Sequence, residues 1–201
     1  MTMNATTIYT KLRSLCLKLP IILLALLPVA CEDAQHEYTI NVAYFVFDNS
    51  IHQDATLAAA MNVNSPGIFC QISQSMKGGA TQFDFLNNAG VSSSLTANAK
   101  DQQRRIILGH NNGILVGYGN LNTPATFYAY DRECPNCFDP TAIPLKSKPL
   151  SMSHNGLATC AVCHRQYDMN NGGNIVSGDS GNKMTRYRGT CTGPFGTLAV
   201  Q

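Results

Sequence analysis

The chain has 201 residues, 44% of them apolar, with no tryptophan and a formal charge of +2. That is enough for one medium domain with a core of its own and too little for two large ones. Lys11, Arg13 and Lys18 lie in an acid-free leader and account for three of the 14 basic side chains, so the remainder carries 11 basic against 12 acidic groups, a near-neutral balance that excludes a nucleic-acid footprint.

Residues 1–30 combine a basic start with an apolar run from Leu19 to Ala30, too short to cross a bilayer comfortably and read as a signal peptide. The run ends at Cys31 and resembles a bacterial lipoprotein cleavage site, which implies lipidation of Cys31 and a cell-envelope protein held to a membrane by its lipid, facing the periplasm or the cell surface. Pro28 is atypical of that box. Residues 31–37 then form a short acidic tether, and 38–201 are expected to fold as one domain. Of eight cysteines, Cys16 leaves with the leader and Cys31 takes lipid. In an oxidising compartment the remaining thiols pair unless a metal protects them. Cys70 and Cys191 each sit in a strand-like run, as a candidate disulfide if those strands are neighbours or as two buried thiols if not.

Residues 38–47 alternate with β-branched and aromatic side chains and predict a first strand; 54–61 predict one or two helical turns, and 67–72 a second strand. From 73 to 103 the composition turns to Ser, Asn, Gly, Thr and Gln, predicting a surface insertion whose Phe83 and Phe85 pack against the domain. Short strands follow at 104–108, 113–117 and 125–130, then a hairpin at 150–159, and a closing pair in which 185–190 meets 196–200. Short strands with short turns predict a mainly β, antiparallel sandwich.

Chemistry concentrates in two pairs, Cys134-Pro-Asn-Cys137 and Cys160-Ala-Val-Cys163, with 22 residues between them. Each pair has the spacing of a chelating turn that aims two sulfurs at one point, so Cys134, Cys137, Cys160 and Cys163 are candidate ligands of one metal centre. Residues 131–181 would form the subdomain that carries it, with Asn136 and His164 beside it.

The surroundings of these pairs, over residues 104–201, resemble the Rieske iron–sulfur domain, in which one strand delivers Cys-x-His and another Cys-x-x-His followed by Gly, an aromatic residue and Asp. Phe127 to Pro135 resembles the approach to the first loop, and Gly156 to Cys163 with Tyr167-Asp168 resembles the second. The resemblance implies a Rieske-like sandwich, a 2Fe-2S cluster and electron exchange with a redox partner protein. Both family histidines are replaced, by Asn136 and Cys163; His164 stands where the family has Gly, and Arg165 where it often has Ser. Four thiolates in place of two imidazoles would lower the potential.

Other readings compete. Zinc would close the same four cysteines into a structural site of a non-catalytic lipoprotein. Disulfides would leave no metal, with Cys137 to Cys163 the pairing that the resemblance suggests. Cys160-x-x-Cys163-His164 also satisfies the c-type haem attachment pattern, with Met152, Met169 or Met184 as second ligand. Gly178-Asp-Ser-Gly181 matches the tetrapeptide around a serine-protease nucleophile, but no histidine has suitable flanks, so a turn over the metal site is expected there. His36, His52, His110 and His154 read as plain surface residues, and no acid–base pair or activated nucleophile points to catalysis.

Overall fold

A computed structural model describes residues 37–41 and 43–201. The predicted leader, Cys31 and all of the tether except Glu37 lie outside the described residues. The elements are β1 (Phe45–Asp48), α1 (Asn49–His52), α2 (Ala55–Ala60), β2 (Phe69–Lys77), β3 (Ala80–Asn87), β4 (Ser92–Thr96), α3 (Ala99–Gln102), β5 (Ile114–Tyr118), β6 (Phe127–Asp131), β7 (Leu150–Met152), β8 (Leu157–Cys160), β9 (Gln166–Asp168), β10 (Asn174–Ser177), β11 (Arg186–Tyr187), β12 (Gly189–Cys191) and β13 (Thr197–Val200). All strand pairs among them are antiparallel.

Ile114, Leu115 and Val116 are consecutive on β5 and all fully buried, so this strand has protein on both faces. It lies inside a six-stranded sheet of order β11-β6-β5-β2-β3-β4. On one face Ile72, Phe83, Phe85, Ile114 and Val116 pack against Phe45 and Phe47 of β1, Leu198 and Val200 of β13, and Leu57 of α2. On the other, Phe69, Leu115, Tyr128 and Tyr130 pack against Leu150, Ala158, Cys160 and Tyr167 of a four-stranded sheet of order β10-β9-β8-β7. A third sheet, β1-β13-β12, covers the first face. The mainly β, antiparallel prediction holds, but the arrangement is three sheets around two cores, with the six-stranded sheet shared.

The largest departure from the sequence reading is at 73–103. This stretch is not a surface insertion: β2, β3 and β4 form half of the six-stranded sheet. Only alternate residues face the core, with Phe83 and Phe85 buried while their neighbours carry the polar outer face, and that outer face dominates the composition. Gly78 and Gly79, with φ of 59° and 83°, close the two-residue turn between Lys77 and Ala80, the backbone geometry that matches strand twist in a hairpin.

Smaller differences have local causes. The first strand begins at Phe45 rather than 38, because β13 offers only four partners, Thr197 to Val200, and Ile40 is left exposed. Residues 104–108 contribute a single bridge, Ile107 to Tyr44. The predicted helical turns are α2, whose amide at Leu57 donates to the capping Asp54 carboxylate at 2.8 Å. The closing pair is β12 with β13, in the register Thr190 to Ala199.

Two histidines are not surface residues. The His52 ring stacks on Phe47 and its Nε2 meets Asp101 Oδ2 at 2.9 Å. His110 Nδ1 meets Asp131 Oδ2 at 3.0 Å, and the His110 amide and the Tyr187 hydroxyl donate to the same carboxylate. His154 is exposed as expected, and His36 lies outside the described residues.

Candidate metal centre

Each cysteine pair is a tight turn leaving a strand. β6 delivers the first: Cys134 is anchored by its amide to Lys148 O, and the amides of Cys137 and Phe138 both donate back to Cys134 O, at 3.2 and 2.9 Å. β8 delivers the second: the His164 amide donates to Cys160 O at 3.0 Å, and Cys160 donates to Arg165 O. The two turns therefore share one construction, in which the residue after the second cysteine closes the loop onto the first. His164 takes a φ of 59° to do so.

The construction brings four sulfurs to one point. The Sγ atoms of Cys134, Cys137, Cys160 and Cys163 all lie within 4.8 Å of one another, and Cys134 and Cys163 are 3.8 Å apart. All four are free thiols, so the Cys137 to Cys163 disulfide is not formed. Cys134 and Cys160 are fully buried, whereas Cys137 and Cys163 are half-buried.

The chain matches no protein-family description, no curated protein and no solved structure.

Around the sulfurs lies a layer of donors. The Tyr167 hydroxyl is 3.3 Å from Cys134 Sγ, and the Val162 amide donates to Cys160 Sγ at 3.4 Å. Asn136 Nδ2 donates to the Tyr167 hydroxyl at 2.9 Å and to Asn182 O at 2.8 Å, while its Oδ1 accepts from the Asn182 amide. Arg165 donates to the carbonyls of Asp179 and Ser180. Gly178 to Gly181 is therefore a strap tied over the two turns, and its serine carries no nucleophile's machinery.

Burial raises the Cys163 thiol, but the Arg165 amide and guanidinium and the neighbouring thiols of Cys137 and Cys160 outweigh it and bring the group down to about 6. Its neighbours move the other way. Cys137 is pushed up to about 12 by burial and by the adjoining thiols, and Cys134 is raised by burial against the pull of the Tyr167 hydroxyl. Four thiolates at this separation require a cation among them, which is what a metal supplies.

The remaining predicted residues separate from this site. Cys70 lies on β2 in the six-stranded sheet and Cys191 on β12 in the three-stranded one; these strands are not neighbours, and both thiols are free, so the predicted disulfide is absent. Cys191 Sγ instead contacts the Tyr118 hydroxyl at 3.4 Å. His164 is exposed, and Cys160 and Cys163 point at the other pair rather than standing free for two vinyl groups of a haem. Met169 and Met184 are buried in the second core. The Tyr167 and Arg165 contacts were missed as sulfur partners, because nothing in a spacing of four residues from Cys163, or of two, reveals where a side chain ends.

Proposed function

We propose that the chain is an envelope lipoprotein without catalytic activity of its own, whose four cysteines hold one zinc ion that fastens the loop after β6 to the β8–β9 turn. The observation that carries this reading is the mutual separation of the four sulfurs, all within 4.8 Å. Tetrahedral zinc with sulfurs at about 2.3 Å places them about 3.8 Å apart, the separation of Cys134 from Cys163. A 2Fe-2S cluster divides its thiolates between two irons and holds opposite pairs roughly 5.5 Å or more apart. Zinc needs no redox partner, and its role here is to contribute folding free energy.

Kinship to the Rieske domain belongs to the same proposal. It is supported by the left-handed His164 at the family's glycine position, by Tyr167-Asp168 on β9, and by the Gly172-Gly173 turn into the antiparallel strand β10. The anchor rests on the apolar leader that ends at Cys31, and no helix among the described residues is long and apolar enough to cross a membrane.

A second reading has one observation in its favour. Cys137 and Cys163 reach the surface, and an iron in the same sphere would make them the exit for an electron to a partner protein. Native mass spectrometry of the full chain, extracted anaerobically from membranes, separates these possibilities. The proposal expects a lipid mass on Cys31 and one zinc. An iron mass with visible colour selects electron transfer; two disulfides without metal, or a chain without lipid, contradict the centre or the anchor respectively.

A further inference from the structure

A groove of about 560 Å³ runs between Gln71 of β2 with Leu86 and Asn87 of β3 on one side and β7 on the other. Volumes of this order accommodate small organic ligands. Its walls are tied together: Asn88, itself buried, accepts from the Phe69 amide at 3.0 Å and donates to Gly67 O at 2.9 Å, and its Nδ2 also reaches the carbonyls of Ser153 and His154. The groove is thus formed in advance of any ligand.

Its lining has two chemical halves. Leu86, 41% exposed, faces Leu150 and Met152 as an apolar wall. Arg132 supplies the charge. No acidic side chain lines the groove. Among the described residues Arg132 forms no ion pair, and its buried Nε–H has no hydrogen-bond partner. That Nε–H is enclosed beside Gly113 and out of a ligand's reach, so the terminal guanidinium nitrogens, which have no hydrogen-bond partner either, are the donors that Arg132 offers to the groove, and a planar oxyanion matches their geometry. The side chain is also held in place, since it lies so close to the backbone at Gly113 that a β-carbon there would stand 2.6 Å from Nε.

We propose that this groove binds a small organic acid, its carboxylate paired with Arg132 and its hydrocarbon body against Leu86 and Met152. The groove abuts the four-cysteine centre, since Ala161 of the second cysteine turn and Leu150, the partner of Cys160, both line it, but it uses none of the four sulfurs.

The test is a titration of the full chain, as purified with its metal, followed by nitrogen–proton NMR at the Arg132 Nε–H and the backbone amides of Leu86 and Met152. The probes are octanoate, octan-1-ol, which has the body without the charge, and inorganic phosphate, which has charge without the body. Octanoate is expected to shift all three signals and to bind at least about tenfold more tightly than either control, the step expected for one charge-assisted pair. Arg132→Gln is expected to weaken octanoate about tenfold and leave octan-1-ol unchanged. Leu86→Ser, on the exposed rim where folding is not at stake, is expected to weaken both. Equal binding of octanoate and either control, octanoate shifts that bypass the groove, or an unaltered octanoate affinity in either variant would overturn the proposal.

Discussion

Tyr167 shows how one hydroxyl serves the centre from outside the ligand set. It sits 3.3 Å from Cys134 Sγ and is itself held by Asn136, so it orients the sulfur and offsets its charge. Tyr167→Phe keeps the ring in the core and removes the sulfur contact together with the Asn136 hydrogen bond to the same hydroxyl. Metal affinity, measured by competition with a chelator, is expected to fall about 10- to 100-fold with stoichiometry unchanged. A second residue-scale expectation concerns His110, raised by its bond to Asp131, and Asp131, where burial pushes upward but the donors His110, Tyr187 and the Glu133 amide bring the group down overall. The histidine's contribution is complete below its ordinary 6.5 and fades as pH rises through the raised value. The aspartate's is complete above its ordinary 3.8 and fades as pH falls through the lowered one. The stability gap between wild type and His110→Asn, from denaturant unfolding, should therefore be larger near about pH 5.5 than near about pH 8.5.

At the scale of elements, β3 bears on the whole six-stranded sheet. Phe83 packs edge-on against Phe45 at 5.7 Å and Phe47 at 5.5 Å, joining two sheets. Phe83→Ala is expected to cost about 3–5 kcal/mol in thermal or chemical unfolding, the range for removing a buried aromatic ring; a loss below 1 kcal/mol would return this segment to the surface insertion its composition suggests. The contrast between 73–103 and 113–130 shows what a sequence discloses. β5 and β6 are apolar or aromatic on both faces because both are covered, so their strands were legible. β3, β4 and the later half of β2 are covered on one face, and their serines, threonines and glutamines masked a two-residue period that only Phe83 and Phe85 expose. The cysteine turns were legible for a different reason: a two-residue gap forces both sulfurs to one side whatever surrounds them. The partners of His52 and His110, by contrast, lie 49 and 21 residues away, a separation that no local pattern encodes.

For the molecule as a whole, the six-stranded sheet separates two cores with different supports. The first is aromatic and extensive, whereas the second closes over Cys134 and Cys160 and so depends on what the four sulfurs hold. Chelation is expected to speed hydrogen exchange in β7 to β10 well before it affects β2, β3 and β5; uniform loss of protection would mean that the two cores unfold as one. X-ray absorption at the metal edge of the full chain addresses the centre itself. The account predicts one zinc per chain surrounded by four sulfurs at about 2.3 Å with no second metal behind them, and a short metal–metal distance, or sulfur bonded to sulfur in place of metal, would contradict it.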